Sequence, residues 1–475
     1  MLNNQHRENC VSNQSRDESL LSPSYQRLFV FLMFIVCLFD FADRAVFAVL
    51  AQTIKTELLL TDLQLGLLQG LAFAFLYSLL GLPLARVAER KSRKKIIAAC
   101  TALWSAATLF CGFVSSFWGL ALGRIGVGVG EAGFLPAVNS MVGDQYGRNR
   151  RASIMGLIML GTPAGILTGS LVGGFFAGSN WRHAFYLLGV GGLVAAALVM
   201  VFIREPSRGF ADGARPSLSP PPDFAAFLKA VRSKTSLMLI IAGGATAGFG
   251  MTSISQFLAV FLARTYEMPV REAAVYYGFI SATFLSIGLM VGSFGTDWLS
   301  KRDERWPAWG AAIGLTLAPF FYFAAFNVHN IVAATVLLVI AGSMLLIFYA
   351  PTSGMIQNLL NPRMRATGAA TFAMLYTMIG SGLGPTFIGW VSDLMAMSAF
   401  DGDFHEACPG GVALAGAGQA AMSACAEASA LGIQRALNVA VCIFFVAALL
   451  YFLASRKLRD DFYEEAEAKT ESGAA

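Results

Sequence analysis

The chain has 475 residues, 56% of them hydrophobic and only 13% charged, with a mean hydropathy of +0.62. A soluble globular domain carries about 25% charged residues, so this composition excludes a water-soluble protein and points to an integral membrane one. The formal net charge of +5 is concentrated in a few short connections, where it reads as a topology signal and gives nucleic-acid binding no support.

The first 27 residues are polar and lack the short apolar region of a signal peptide, so the first apolar run is expected to be a retained span. A hydrocarbon core of about 30 Å takes roughly 20 helical residues to cross. Twelve runs of that kind follow, at 28–53, 64–86, 96–117, 119–143, 152–177, 183–203, 236–262, 273–296, 307–326, 330–352, 367–392 and 433–455. Alternate connections are basic: "ERKSRKK" (89–95), "GRNRRAS" (147–153), "SKRDER" (300–305), "NPRMRA" (361–366) and "SRKLR" (455–459), while "VSSF", "GSN" and "NVHN" between them carry no Lys or Arg. The positive-inside rule then places both termini in the cytoplasm, in a multi-pass protein of the cell (inner) membrane.

The predicted units are a tail (1–27), a six-helix bundle (28–203), a linker (204–235), a second six-helix bundle (236–455) and a tail (456–475). The linker is rich in Pro, Ser and charge, and its "DFAAFLKAVRSK" can form a short amphipathic helix on the membrane surface. Of seven cysteines, Cys408 and Cys425 lie in the long connection before the last span, on the oxidising side, and are a possible disulfide.

Charges inside the spans are few. A charged group at the bilayer centre costs from about 3 to over 10 kcal/mol, so such groups face a cavity and pair with one another. The first span carries Asp40, Asp43 and Arg44, with Asp40 sharing a helical face with both others. The fourth carries Arg124, Gly128 and Glu131 at i, i+4 and i+7, on one face, with Gly126 and Gly130 removing bulk beside them. Mutual neutralisation that locks helices one and four together is the plain structural reading. Two arginines and three acids also make a site for an anionic group and a proton, and the two readings are compatible. The second half offers Gln256, Asn358 and Tyr376 among Met and Phe, an apolar wall suited to an amphiphile.

A short repeat relates the halves. Glu89, Arg90, Lys91, Ser92, Arg93 and Lys94 between spans two and three match Asp297, Trp298, Leu299, Ser300, Lys301 and Arg302 between spans eight and nine, in acid, Ser and paired cations. The first copy resembles the signature of the major facilitator superfamily in that connection. "RIGVGVGEAG" (124–133) is similar to the superfamily's second signature, and "NWRHAF" (180–185) is another familiar element. The implied fold class is an all-α integral membrane protein of twelve transmembrane helices in two pseudo-symmetric six-helix bundles. "DRAVFAVL" with "RIGVGVGEAG" further resembles the Spinster family, matching at Asp43, Arg44, Arg124 and Glu131, whereas "FDFA" before Asp43 and Ala48 depart from its pattern.

The resemblance implies a proton-coupled secondary transporter of a lipid-like substrate, of the lysophospholipid or sphingoid phosphate class, working by alternating access; a proton-linked transporter of small polar solutes or drugs is the alternative. Asp43, Glu131 and Asp40 are the expected proton-coupling groups, and Arg44, Arg124, Gln256, Tyr376 and Asn358 the expected substrate contacts. Glu89 with Arg93 and Asp297 with Lys301 are expected to latch the inner gate, with Asp144 a further partner for Arg93. No cofactor beyond the coupling proton is expected. The four histidines show no metal-ligand spacing and no nucleophile and base set stands out, so an enzyme is not expected. The expected partners are the lipid-like substrate and membrane lipids, with the chain acting as a monomer and no nucleic acid involved.

Overall fold

The computed structural model describes residues 22–206, 224–361, 364–414 and 416–461. Twelve helices in chain order make the body: α1 (Pro23–Leu58), α2 (Asp62–Gln69 and Leu71–Arg90), α3 (Arg93–Cys111), α4 (Phe117–Gln145), α5 (Arg148–Met159 and Gly161–Ala177) and α6 (Arg182–Phe202), then α7 (Thr235–Thr265), α8 (Val270–Ser300), α9 (Trp306–Asn327), α10 (Ile331–Leu359), α11 (365–399) and α12 (Gln419–Lys457). Ten of these are long and apolar enough to cross a membrane on length and composition. The other two are α1, charged in its middle, and α11, which is interrupted by a π-helical stretch at Tyr376–Leu383.

Packing repeats with a shift of six helices. In the first half α1 packs on α5, α2 on α4 and α3 on α6; in the second, α7 packs on α11, α8 on α10 and α9 on α12. Across the halves α2 meets α11 and α5 meets α8, the exchange that a two-fold relation requires. The short sequence repeat thus marks a repeat of whole bundles.

Helix ends are set by local chemistry. Ser22 caps α1 by accepting from Tyr25 N, with Pro23 at the first helical position, where its missing N–H costs nothing. Thr61 and Gln64 form a capping box at the start of α2. α2 breaks at Gly70 (φ −102°, ψ −95°), and α8 passes through a π-helical turn at Val291–Gly295. Such breaks are tolerated at membrane depth only where protein or a cavity surrounds them.

Several expectations shift. The helices run further than the apolar runs suggest: α1 to Leu58, α2 from Asp62, α7 to Thr265 and α11 to residue 399. Lys55, Asp62, Arg264 and Asp393, which those runs leave outside, are thereby drawn into the helices; Lys55, Asp62 and Asp393 are buried, and the Arg264 side chain is 5% exposed. The last helix begins at Gln419, well before residue 433, and Cys408 is joined to Cys425 in a disulfide at its foot. The linker forms a helix at Phe224–Ser233 whose Phe227 is buried against the second half; residues 207–223, the tails 1–21 and 462–475, and Cys10 with them, lie outside the described residues.

The linker's first residues dock on the basic face of the first bundle. Glu205 accepts from Ser92 Oγ at 2.7 Å, Arg93 Nε at 2.7 Å and Lys94 N at 2.9 Å, an anion at the N-terminus of α3. Arg93 is buried and also ion-pairs with Asp144, donates to Ser140 and donates to Pro206 O at 2.9 Å. The expected Arg93 and Asp144 pair is therefore present. It is a clasp within the first bundle that also holds the linker, not a contact between halves, because the chain returning from α6 brings Glu205 to this corner. Glu89 and Asp297 have side chains outside the described residues, and Lys301 is exposed in the turn after α8.

Burial alone raises the Glu205 carboxyl, yet the hydrogen bonds from Lys94, Arg93 and Ser92 together hold it below its ordinary value of 4.5. A carboxyl depressed on folding stabilises above its unfolded pKa, and that stability is lost as pH falls through the folded one. Replacing Glu205 by Gln is expected to cost about 0.5–1.5 kcal/mol at neutral pH, the group being half-exposed. Melting in detergent should show a gap between wild type and Glu205→Gln that is constant above about pH 5 and closes as the medium is acidified below about pH 4.

Candidate functional site

The buried charges of α1 and α4 meet in two ion pairs. Arg44 Nη2 lies 2.5 Å from Glu131 Oε2 and 3.3 Å from Asp40 Oδ1; Arg124 Nη1 lies 3.6 Å from Asp43 Oδ2. The partnering differs from a simple reading of the sequence, in which Asp43 acts on its neighbour Arg44. Consecutive residues on a helix point about 100° apart and do not face each other. Asp43 consequently takes Arg124 and Arg44 takes Glu131, crossing between the two helices.

The third helix adds a contact the sequence did not disclose. Thr108 Oγ1 of α3 donates to Asp43 Oδ1 at 2.8 Å. Asp43 Oδ2 has no hydrogen-bond donor among the described residues, and neither Glu131 oxygen is in hydrogen-bond geometry despite the short ion pair. Three carboxyls thus share two guanidiniums in a site where the side chains of Asp40, Asp43, Arg124 and Glu131 are at most 4% exposed. Arg44 differs from them: its side chain is 26% exposed.

Aromatic rings from α1 and α2 hold both arginines. The Phe73 ring lies 4.7 Å from the Arg44 guanidinium carbon and 5.2 Å from that of Arg124, a plate shared by two cations. Phe41 and Tyr77 flank Arg44 at 5.2 and 5.6 Å, and Phe47 lies 4.8 Å from Arg124. Each such contact contributes about 0.5–2 kcal/mol, more where water is excluded. The break at Gly70 comes just before Phe73, and Arg124 Nε donates at 3.4 Å to Leu68 O on its other side. A discontinuous helix beside buried charge is a feature of transporter binding sites, and the glycine in an apolar run was the signal for it. Gly128 sets the helix spacing here, since a Cβ on it would collide with the Phe73 carbonyl oxygen.

From the second half, Tyr349 is 40% exposed and within electrostatic reach of Arg44. Its ring is 5.7 Å from that of Tyr376, whose hydroxyl donates to Met251 Sδ at 3.5 Å. Tyr376 thus stands beside Tyr349, at the start of the π-helical stretch of α11, and Gln256 of α7 is half-buried. Asn358 is not brought there. It is exposed in the last turn of α10, about 13 Å along that helix from Tyr349 toward the basic face. Its polarity is legible in the sequence and its depth is not.

The pocket is closed on one side. Beyond Arg44, α1 presents Ala45, Ala48, Val49 and Ala51, which with Leu65 of α2 share one apolar core with Ile254, Phe257, Leu258 and Phe261 of α7. This shared core packs the two halves together between Arg44 and the end of the molecule that carries the disulfide.

A two-bundle helical body with a charge cluster at mid-depth is the architecture of a membrane transporter, and the comparisons agree. Residues 32–385 match the model of the Major Facilitator Superfamily, and the chain belongs to that superfamily. Within it the chain is related to the Spinster transporters. A bacterial homolog to human lysosomal Spinster, solved in an inward-facing and unoccupied conformation, superposes with a TM-score of 0.81 at 29% identity, covering 93% of this chain and 99% of that one. An MFS-type efflux pump of Mycolicibacterium smegmatis is 31% identical over 433 residues, 90% of this chain and 92% of the pump. The sphingosine-1-phosphate transporter SPNS2 of Danio rerio is 24% identical over 376 residues, 76% of this chain and 74% of that protein. These relatives are transporters, not enzymes.

Replacing Gly128 by Val is expected to force α2 and α4 apart at Phe73 and to cost about 1–3 kcal/mol. A lowered melting temperature in detergent, larger than that of Gly126→Val on the same helix, would register it.

Proposed function

We propose that this chain is a proton-coupled secondary transporter of an amphiphilic, anionic or zwitterionic lipid-like substrate, of the lysophospholipid or sphingoid phosphate class, working by alternating access. The observation that carries the reading is the asymmetry of the charge cluster: Arg44 faces the pocket while its counter-ions are sealed behind it. A guanidinium in an aromatic surround suits a phosphate headgroup, which it can grip through two N–H donors. The tail would lie along the apolar wall of the second half, where the Phe249 and Phe387 rings lie 5.4 Å apart at a tilt of 54°. The kinship with a sphingosine-1-phosphate transporter supports this substrate class.

Charge balance supports the coupling. Three acids against two arginines leave the buried cluster one negative charge in excess, and a proton neutralises it. Asp43 Oδ2 and both Glu131 oxygens lack a donor, and of these Asp43 Oδ2 stands farther from its guanidinium, 3.6 Å against 2.5 Å for Glu131 Oε2, so we assign the proton to Asp43. A headgroup that takes Arg44 from Glu131 leaves Glu131 unpaired in a dry site, so substrate and proton occupancy depend on each other. Arg124 answers to Asp43, so the proton on Asp43 controls the second cation. Positive-inside charge makes the basic face cytoplasmic. The pocket then addresses the cytoplasm, in keeping with the inward-facing relative. Each chain contains a whole pathway between its two halves, consistent with a monomer in the cell (inner) membrane.

The efflux pump from Mycolicibacterium smegmatis favours a second reading, a proton-linked transporter of small polar solutes or drugs. Proteoliposomes challenged with a lysolipid panel and a drug panel, with and without a pH gradient, decide between them. Uptake of lysolipids that rises with the gradient is the expected result; drug transport without lysolipid transport would replace the lipid reading. Asp43→Asn is expected to abolish gradient-driven transport while leaving the melting temperature within a few degrees, and normal coupling in that variant would refute its role. Arg44→Gln is expected to raise KM for phosphate-bearing lipids by about tenfold or more, the equivalent of one charged hydrogen bond.

A further inference from the structure

A second buried charge cluster lies about 18 Å further along α1, near the opposite end of the molecule. Asp62 at the start of α2 is its hub. Lys55 Nζ of α1 lies 2.6 Å from Asp62 Oδ1, and Arg264 of α7 grips the same carboxylate in a fork, Nη2 to Oδ1 at 2.7 Å and Nη1 to Oδ2 at 2.8 Å. Ser392 Oγ of α11 donates to Asp62 Oδ2 at 2.7 Å, and Arg264 Nε donates to Gln52 Oε1 of α1 at 2.8 Å. Asp393 of α11 accepts from Asp62 N at 3.0 Å and Leu63 N at 2.8 Å, so its carboxylate caps the N-terminus of a helix in the other half. Lys55, Asp62, Arg264 and Asp393 are all buried or nearly so.

Two features set this cluster apart from ordinary ion pairing. It joins the halves, and it is balanced by half: Lys55 and Asp62 come from the first, Arg264 and Asp393 from the second. Each half carries one cation and one anion to the contact, so the assembled cluster leaves no excess charge in a dry site. The turn closed by the Cys408 and Cys425 disulfide lies over it. Gly410 and Gly411, at φ +68° and +80°, run so close that a Cβ on Gly411 would stand 3.2 Å from Lys55 Nζ. The proton and substrate site uses none of these groups.

We propose that this cluster is the extracytoplasmic gate: it closes the pathway by joining two electrically neutral faces, and it must come apart for the pocket to reach the outer side. The proposal rests on the alternating-access reading above and adds the residues that hold its inward-facing state. Removing one charge leaves its opposite buried and uncompensated in the closed gate, whereas water solvates it in the open one. Removing a cation and an anion together restores the balance.

The test is a distance measurement by pulsed electron resonance on the full chain in lipid nanodiscs. Spin labels go on Ser179→Cys, between α5 and α6, and His329→Cys, between α9 and α10, both exposed, with the free cysteines replaced by alanine and the disulfide retained. Arg264→Gln is expected to raise the ratio of long to short distances at least about tenfold, the factor that one charged hydrogen bond carries. Adding Asp393→Asn to Arg264→Gln is expected to bring the ratio back toward that of wild type. If wild type samples two distances and Arg264→Gln changes only the melting temperature, the gate assignment falls and rocking stands. If no variant shows a second distance, the rocking motion falls with the gate. If the double variant opens further than the single one, charge balance is not what closes it.

Discussion

Hydrocarbon cannot solvate charge, and the placement of Asp40, Asp43, Arg44, Arg124 and Glu131 follows from that single constraint. Five charges at mid-depth would be too costly if scattered. Collected between α1 and α4, they compensate one another through two cross-helix pairs, with Thr108 on one carboxylate and the Phe73 ring between both guanidiniums. The close approach of α2 to α4 at Gly128 and the break at Gly70 serve this arrangement. In the proposed function it is a working site rather than a rivet because it is incomplete: an excess acid, three carboxylate oxygens without a donor, and one arginine with an exposed side chain.

The same constraint acts again at the far end of α1, with a different outcome. There the charges are equal in number and divided evenly between the halves, and every carboxylate oxygen of Asp62 and Asp393 has a donor. A fully satisfied cluster between two bodies holds them together, whereas an unbalanced one within a single body is the kind that we propose exchanges protons and ligands. The clasp of Arg93 with Asp144 and Glu205 is a third case, within one bundle and at its surface, where it anchors the linker.

Family membership and chemistry converge from independent directions. The match to the superfamily spans residues 32–385, and the packing of α1 on α5 reappears as α7 on α11. The kinship with Spinster transporters rests on a likeness over 93% of the chain, whereas the proposal of a phosphate-bearing lipid rests on Arg44, its aromatic neighbours and the apolar second half.

Much was legible in the sequence because a bilayer imposes rules that act locally. Apolar run length gave the helices, and charge in a run of hydrocarbon-soluble residues marked Asp43, Arg44, Arg124 and Glu131 without any knowledge of their neighbours. Helical spacing also gave the pairing of Asp40 with Arg44, since that contact lies within one helix. Partners on different helices were not legible. That Asp43 meets Arg124 and Arg44 meets Glu131 depends on the rotation of α1 against α4, which no single helix encodes. Phe73 and Thr108 are unremarkable residues until two other helices stand beside them. Lys55, Asp62 and Arg264 each sit at a helix end, where a charge is ordinarily solvated, Asp393 lies just beyond the apolar run of α11, and Asn358 is as polar as Gln256 yet lies a different distance from the midplane. Only tertiary structure gathers the first four into a dry contact and leaves the fifth outside, because burial is a property of what packs against a residue rather than of the residue itself.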